Sequence, residues 1–156
     1  MIITDRAITL TQPWATLMAI GAKKFETRSR PSSFRGWLAV HAAKSWPQEC
    51  VDLASWTEFR RALYDDGPWK FTIADIRWML GRVLAVVHVV ACVRTDTLTP
   101  GMYEVSKRER AFGDYTPGRY YYVTDAVRRL REPFAARGFQ SIPWRLKTPI
   151  TEDMLR

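Results

Sequence analysis

Histidine and cysteine are scarce in this chain, two of each in 156 residues. Cys50 and Cys92 have no metal-ligand spacing, and two histidines do not complete a ligand set, so no zinc or other metal site is expected. No stretch approaches the ~18 apolar residues of a membrane-spanning helix, so no membrane partner is expected. The N-terminal residues Met1 to Arg6 lack the charged-then-apolar order of a signal peptide, and a cytoplasmic protein without a disulfide is expected. A G-x-G-x-x-G following a strand is missing, and so is a P-loop, which argues against a dinucleotide fold. There is no repeat and no low-complexity linker.

What is abundant is positive charge and aromatic surface. Lysine and arginine total 24 against 16 acidic residues, a net charge of +8, and arginine greatly outnumbers lysine. Arginine suits bidentate phosphate contacts and stacking on bases. Aromatic residues make up 13%, and aromatics mixed with arginine are the material of single-strand binding grooves. Charge of this sign also serves solubility alone. The expected partners are RNA, another single-stranded nucleic acid or a modified nucleoside, bound by a monomer without a cofactor.

The length suggests one domain over residues 1–156, with a core over about 7–146 and a helical insertion over about 47–80. Ala7 to Leu10 reads as a strand. Thr11 and Pro13 suit the start of a helix whose Trp14, Leu17 and Met18 share a face. Gly21 suits its end. Phe25 to Ser29 is expected to be extended, with Lys24, Glu26 and Arg28 on one side and Phe25 and Thr27 on the other. Arg30 to Arg35 is loop, Trp37 to His41 a strand, and Pro47 to about Tyr64 a helix. Thr72 to Asp75 has capping-box form and starts a short helix to Leu80.

The valine-rich run Val83 to Val93 is expected to be a central strand covered on both faces. Thr95 to Pro100 reads as loop and Met102 to Ala111 as weakly helical. Phe112 to Arg119 is a glycine-rich loop and Tyr120 to Val123 a strand. Thr124 to Arg131 reads as a turn with one helical turn. Phe134 to Arg137 and Pro143 to Leu146 are expected as edge strands, and the tail after Pro149 as frayed or a short helix. Strands without regular βα alternation indicate an α+β fold, or a small β-barrel decorated with helices.

The candidate site centres on Gly21 to Arg28. Lys23 is a candidate phosphate contact, or an amine acting as base or nucleophile. Glu26 and Arg28 share a strand face and can pair, and Glu26 could accept hydrogen bonds from a base or act as general base. Trp14 could stack a base and Gln12 could hydrogen-bond one, although helical spacing equally makes Trp14 a core residue. Lys44, beyond a strand end, is a candidate phosphate contact. His41 is as readily a buried structural histidine, and His88 reads as structural. Glu109 is the candidate second carboxylate, against the alternative of a solvated helix residue. Asp114 and Arg119 could contact a ligand, cap a turn or pair with each other. Arg128, Arg129, Arg131 and Arg137 form an electrostatic footprint that cannot specify sequence.

Four segments together resemble the ASCH domain family. They are Gln12-Pro-Trp-Ala15, Gly21-x-Lys23-x-x-Glu26-x-Arg28, Arg35-Gly36 leading to His41-Ala-Ala-Lys44, and Phe112-Gly-Asp-Tyr-x-Pro-Gly-Arg119. The resemblance implies a PUA-like β-barrel with a cleft lined by Lys23, Glu26 and Arg28. It implies binding of RNA or other nucleic acid. One subgroup of the family hydrolyses the acetyl amide of N4-acetylcytidine, and another member is a ribonuclease on single-stranded RNA. Lys23 matches that subgroup's lysine. Glu26 stands where the subgroup carries threonine, so the hydroxyl role assigned there has no counterpart. The resemblance thus implies an RNA- or nucleotide-binding domain or, alternatively, a metal-independent hydrolase with Lys23 as a catalytic group, beside which the residues themselves offer Glu26 and Glu109 as proton-transferring candidates.

Overall fold

A computed structural model describes residues 1–68, 70–97 and 103–156. The fold is α+β, built on one six-stranded sheet in the order β2-β5-β4-β3-β1-β6. The strands are β1 (Ile2–Leu10), β2 (Phe25–Arg28), β3 (Gly36–Ala42), β4 (Arg82–Arg94), β5 (Tyr120–Ala135) and β6 (Trp144–Thr151). β1 and β3 run parallel, and their ends come together at Leu10 and Ala42. The helices are α1 (Trp14–Ala19), α2 (Gln48–Leu53), α3 (Thr57–Arg60), α4 (Ile73–Trp78) and α5 (Lys107–Phe112).

The expected closed barrel is corrected: β2 and β6 remain the two edges of an open ladder. The sheet is nevertheless strongly curled. Beyond β6 the chain makes a 3₁₀ turn, Glu152–Met154, and returns to β5 through a single antiparallel bridge between Leu130 and Leu155. The Arg156 N–H donates to the Arg129 carbonyl at 2.9 Å beside it. One bridge joins these segments where a closed barrel has a continuous ladder.

Strand β4 is valine-rich because it meets a core on each face, with a register shift between Val83 and Ala85 that changes the phase of its alternation. Val83 and Val86 face one core with Ala7, Ala39, Leu130, Trp144, Leu146, Ile150 and Leu155, inside the curl. Leu84, Ala85, Val87 and Val89 belong to the other core, under the helices, with Ile8, Leu17, Val40, Leu63, Ile76 and Phe112. Both faces are covered, as the valine run suggested. Each fully buried Val, Leu or Ile contributes about 1.5–3 kcal/mol.

Several local expectations are corrected. Thr124 to Arg131 is the middle of the sixteen-residue strand β5, because its pairing with β4 continues from Ala126 opposite His88 to Arg129 opposite Ala85. The cross-strand ladder overrides its weak local preference. Residues Phe134 and Ala135 end that strand rather than starting another. β6 runs on through Pro149 to Thr151, which an edge strand tolerates because the missing N–H can face away from the ladder, and the short helix expected in the tail follows as the 3₁₀ turn Glu152–Met154. The single helix expected over 47–64 is α2, α3 and a π-helical turn, Arg61–Asp65. Helix α5 takes only Lys107 to Ala111 of the stretch expected to be helical and runs one residue on to Phe112, expected as loop; Met102, the first residue of that stretch, lies outside the described residues, as do residues 98–100 of the loop expected before it. The capping box at Thr72 and Asp75 is formed. No helix among the described residues is long and apolar enough to cross a membrane.

Candidate functional site

Helix α1 and strand β2 place the central charges. Thr11 does not cap α1. The Gln12 side-chain oxygen takes that part, accepting from the Thr16 N–H at 3.0 Å and the Thr16 hydroxyl at 2.9 Å. Gly21 ends the segment at φ +79°, the left-handed conformation expected of it. The Lys23 N–H then returns to the Leu17 carbonyl at 3.1 Å, which turns the Lys23 side chain inward.

Lys23 is fully buried. Its amine donates to the Phe25 carbonyl and stands 3.4 Å from Glu26 Oε1. On the other side of the same carboxylate, Arg28 Nε donates to Glu26 Oε2 at 2.9 Å. Arg28 Nη2 continues to the Thr9 carbonyl at 2.8 Å. Glu26 therefore sits between a buried amine and a half-buried guanidinium, with 12% of its side chain exposed.

Beneath the start of β2, Glu109 accepts the Lys24 N–H at 2.7 Å and the Phe25 N–H at 3.2 Å. It is buried, not a solvated helix residue. Desolvation pushes its pKa above the usual carboxylate range, against the opposing pull of the two N–H donors and of Lys23. The carboxylate holds the backbone of β2 in place.

A cleft of about 1390 Å³ opens beside this group. Its walls come from the ends of β1 and β3, from β2, from the Phe112–Asp114 turn and from the segment after β5. Glu26, Thr27, Arg28, Trp14, Lys44 and Asp114 line it. Lys23, Gln12, Glu109 and Arg119 stand outside this lining. Gln12 is wholly buried, and its role is internal rather than ligand-facing. Thr27, expected to share the side of Phe25 away from Glu26, also reaches the cleft, where its hydroxyl accepts the Asp114 N–H at 3.1 Å.

Trp14 is only partly exposed. Its indole N–H donates to the Phe112 carbonyl at 2.7 Å, and its ring meets Phe59 edge-on. Asp114 caps its own turn, accepting from the Thr116 N–H and hydroxyl, and these bonds hold its pKa below the usual carboxylate value. Arg119 pairs with it, Nε to Oδ2 at 3.4 Å, and bonds its backbone carbonyl. Arg128 is engaged by Glu152 at 2.6 Å, and Arg131 donates to the Leu155 carbonyl. His88 bonds Asp125 at 2.8 Å and packs on Trp37.

His41 is buried in the cleft floor. Its Nε2 stands 2.8 Å from the Ala136 carbonyl, which can only accept, so Nε2 carries the proton. Nδ1 then accepts from the Thr9 hydroxyl at 3.0 Å. That hydroxyl in turn accepts the Trp144 indole N–H at 3.0 Å. Desolvation lowers the His41 pKa below its ordinary value, although the Ala136 and Gly81 backbone groups act the other way. Gly138 lies against this cluster. A Cβ built there would stand 2.6 Å from His41 Cε1 and 2.7 Å from Thr9 Oγ1.

A row of hydrogen bonds thus crosses the cleft floor from Glu26 through Arg28, Thr9 and His41 to Ala136. Thr9 carried no signal in the sequence; its importance comes from β1 lying beside β3, opposite His41. Trp56 and Phe139, both exposed, also line the cleft and were not singled out by the sequence. Among the described residues, no three His, Cys, Asp or Glu side chains come together as a metal site. No family model and no curated protein matches this chain.

Proposed function

We propose that this chain is an ASCH-like domain that binds single-stranded RNA or a nucleotide and holds one unpaired or modified base in the cleft. The observation that carries the reading is the Glu26 carboxylate, fixed between Lys23 and Arg28 on the wall of a cleft that also presents Trp14. A fixed carboxylate can accept the amino group of a base edge, and an adjacent indole offers a stacking face. In this reading the curled sheet corresponds to a PUA-like barrel, with the return through Leu130 and Leu155 in place of a closing ladder.

The test is titration with a single-stranded RNA over a series of salt concentrations. Affinity should fall as salt rises, by a slope of about 0.7 per phosphate contact. Glu26→Gln should weaken binding by about tenfold. RNA affinity that is indifferent to both salt and Glu26→Gln overturns the reading.

The alternative is a metal-independent hydrolase acting on N4-acetylcytidine or cleaving single-stranded RNA. The immobilised Glu26 favours it, since a general base must be held in place. In this arrangement Glu26 faces the substrate and Lys23 acts from behind it. Incubating the pure protein with N4-acetylcytidine and with single-stranded RNA tests it. Product that depends on Glu26 supports an enzyme; turnover unchanged in both Glu26→Gln and Lys23→Ala removes these roles.

A further inference from the structure

We propose that the cleft takes a single-stranded oligonucleotide of at least two residues, with a phosphodiester held by Lys44 and Arg137. The inference rests on the base-binding reading above and extends it from the base to the backbone.

The first ground is charge. At the base end, Glu26 is shared between Arg28 and the buried Lys23, and Asp114 is paired with Arg119. Lys44 and Arg137 also line the cleft, both exposed, and neither has a carboxylate partner among the described residues. At the base end the cations are already tied to carboxylates, while Lys44 and Arg137 are exposed cations with none among the described residues. Phosphate is the part of a nucleotide that requires cations.

The second ground is position. Arg137 follows Ala136, whose carbonyl ends the hydrogen-bonded row that starts at Glu26. The Ala136 N–H also donates to the Gly81 carbonyl at 3.0 Å. Gly81 lies beside the Lys44 stem: a Cβ built on it would be 3.8 Å from Lys44 Cβ and Cγ. Lys44 and Arg137 thus border one junction, with Arg28, Thr9 and His41 between that junction and Glu26. A single base at Glu26 leaves this junction to another part of a longer ligand.

The third ground is size and surface. The cleft, at about 1390 Å³, exceeds the roughly 300–1,000 Å³ that encloses one drug-sized molecule. Trp56, 60% exposed, stands in its lining as a platform for a flanking base, while Phe139 lies under the Arg137 guanidinium at 5.5 Å and against Trp144, supporting the cation rather than offering a free face.

The test is calorimetric titration with the four mononucleotides, a random-sequence pentaribonucleotide and its deoxy counterpart. At least one pentamer should bind tenfold or more tighter than any mononucleotide and show the steeper salt dependence. Lys44→Ala combined with Arg137→Ala should collapse that ratio toward one and reduce the pentamer's salt slope by about 0.7 per lost phosphate contact. Both side chains are exposed, so circular dichroism of the double variant should match the parent. Mononucleotides binding as tightly as pentamers, or an unchanged pentamer slope in the double variant, overturns the oligonucleotide inference and leaves the base-binding reading standing. Failure of every probe to bind overturns both.

Discussion

Arg28 holds Glu26 with one guanidinium nitrogen, at 2.9 Å, and the Thr9 carbonyl with another, at 2.8 Å. One side chain thereby fixes the ligand-facing carboxylate and ties strand β2 to strand β1. Lysine keeps the charge but cannot present two donors in a rigid fork. Arg28→Lys should therefore weaken RNA binding by roughly tenfold while costing about 1–2 kcal/mol of stability. Arg28→Ala should cost more of both. Parallel RNA titration and urea denaturation check this, and an Arg28→Lys protein equal to the parent in both assays contradicts it.

Lys23 carries a different expectation because its amine is buried. Removing one member of a buried charge pair leaves the other uncompensated, at a cost of about 3–5 kcal/mol. Lys23→Met should fall toward that range in urea denaturation, moderated by the remaining Arg28 contact to Glu26. The double variant Lys23→Met, Glu26→Leu should recover only part of the loss, since the buried pair is removed as a unit but Arg28 then keeps only its bond to the neutral Thr9 carbonyl. Equal losses in single and double variants would mean that packing, not charge, sets the cost.

Gly138 should tolerate no side chain. A methyl group at 2.6 Å from the His41 ring must displace either that ring or the segment carrying Ala136 and Arg137. Gly138→Ala should destabilise by about 1–3 kcal/mol, as overpacked sites do. It should also perturb the His41 imidazole resonances in NMR spectra. A variant with parental melting temperature and unshifted His41 signals refutes the close approach.

The pH dependence follows from His41. Its folded-state pKa lies below the unfolded value, so below about 6.5 the unfolded chain takes up a proton that the native ring resists. This contribution is present above pH 6.5 and is lost as pH falls toward the depressed native value. Melting temperature should drop over that interval, and His41→Gln, compared with the parent, should flatten the drop. NMR titration should find the His41 midpoint below 6.5 with the proton on Nε2 in the neutral form.

Chemistry-bearing residue types were legible from local signals. Alternation put Glu26 and Arg28 together on one strand, and their 2.9 Å pair forms. Gly21 was readable as a helix end because only glycine takes its backbone angle at little cost. The valine run named the central strand, because a strand covered on both faces needs apolar residues at every position. These are short-range properties, carried by neighbours in the chain.

Long-range pairing decided the rest. Whether the sheet closed depended on which strands met across 24 positions and more, and the chain settles it with the Leu130–Leu155 bridge. The burial of Lys23 and Gln12, the capture of β2 by Glu109 and the pairing of Thr9 with His41 arise from segments distant in sequence. The sequence by itself determined which charged and aromatic groups were available and which strands and turns carried them. Tertiary structure decided which of those groups face the cleft, because a side chain's exposure is set by what the rest of the chain places over it.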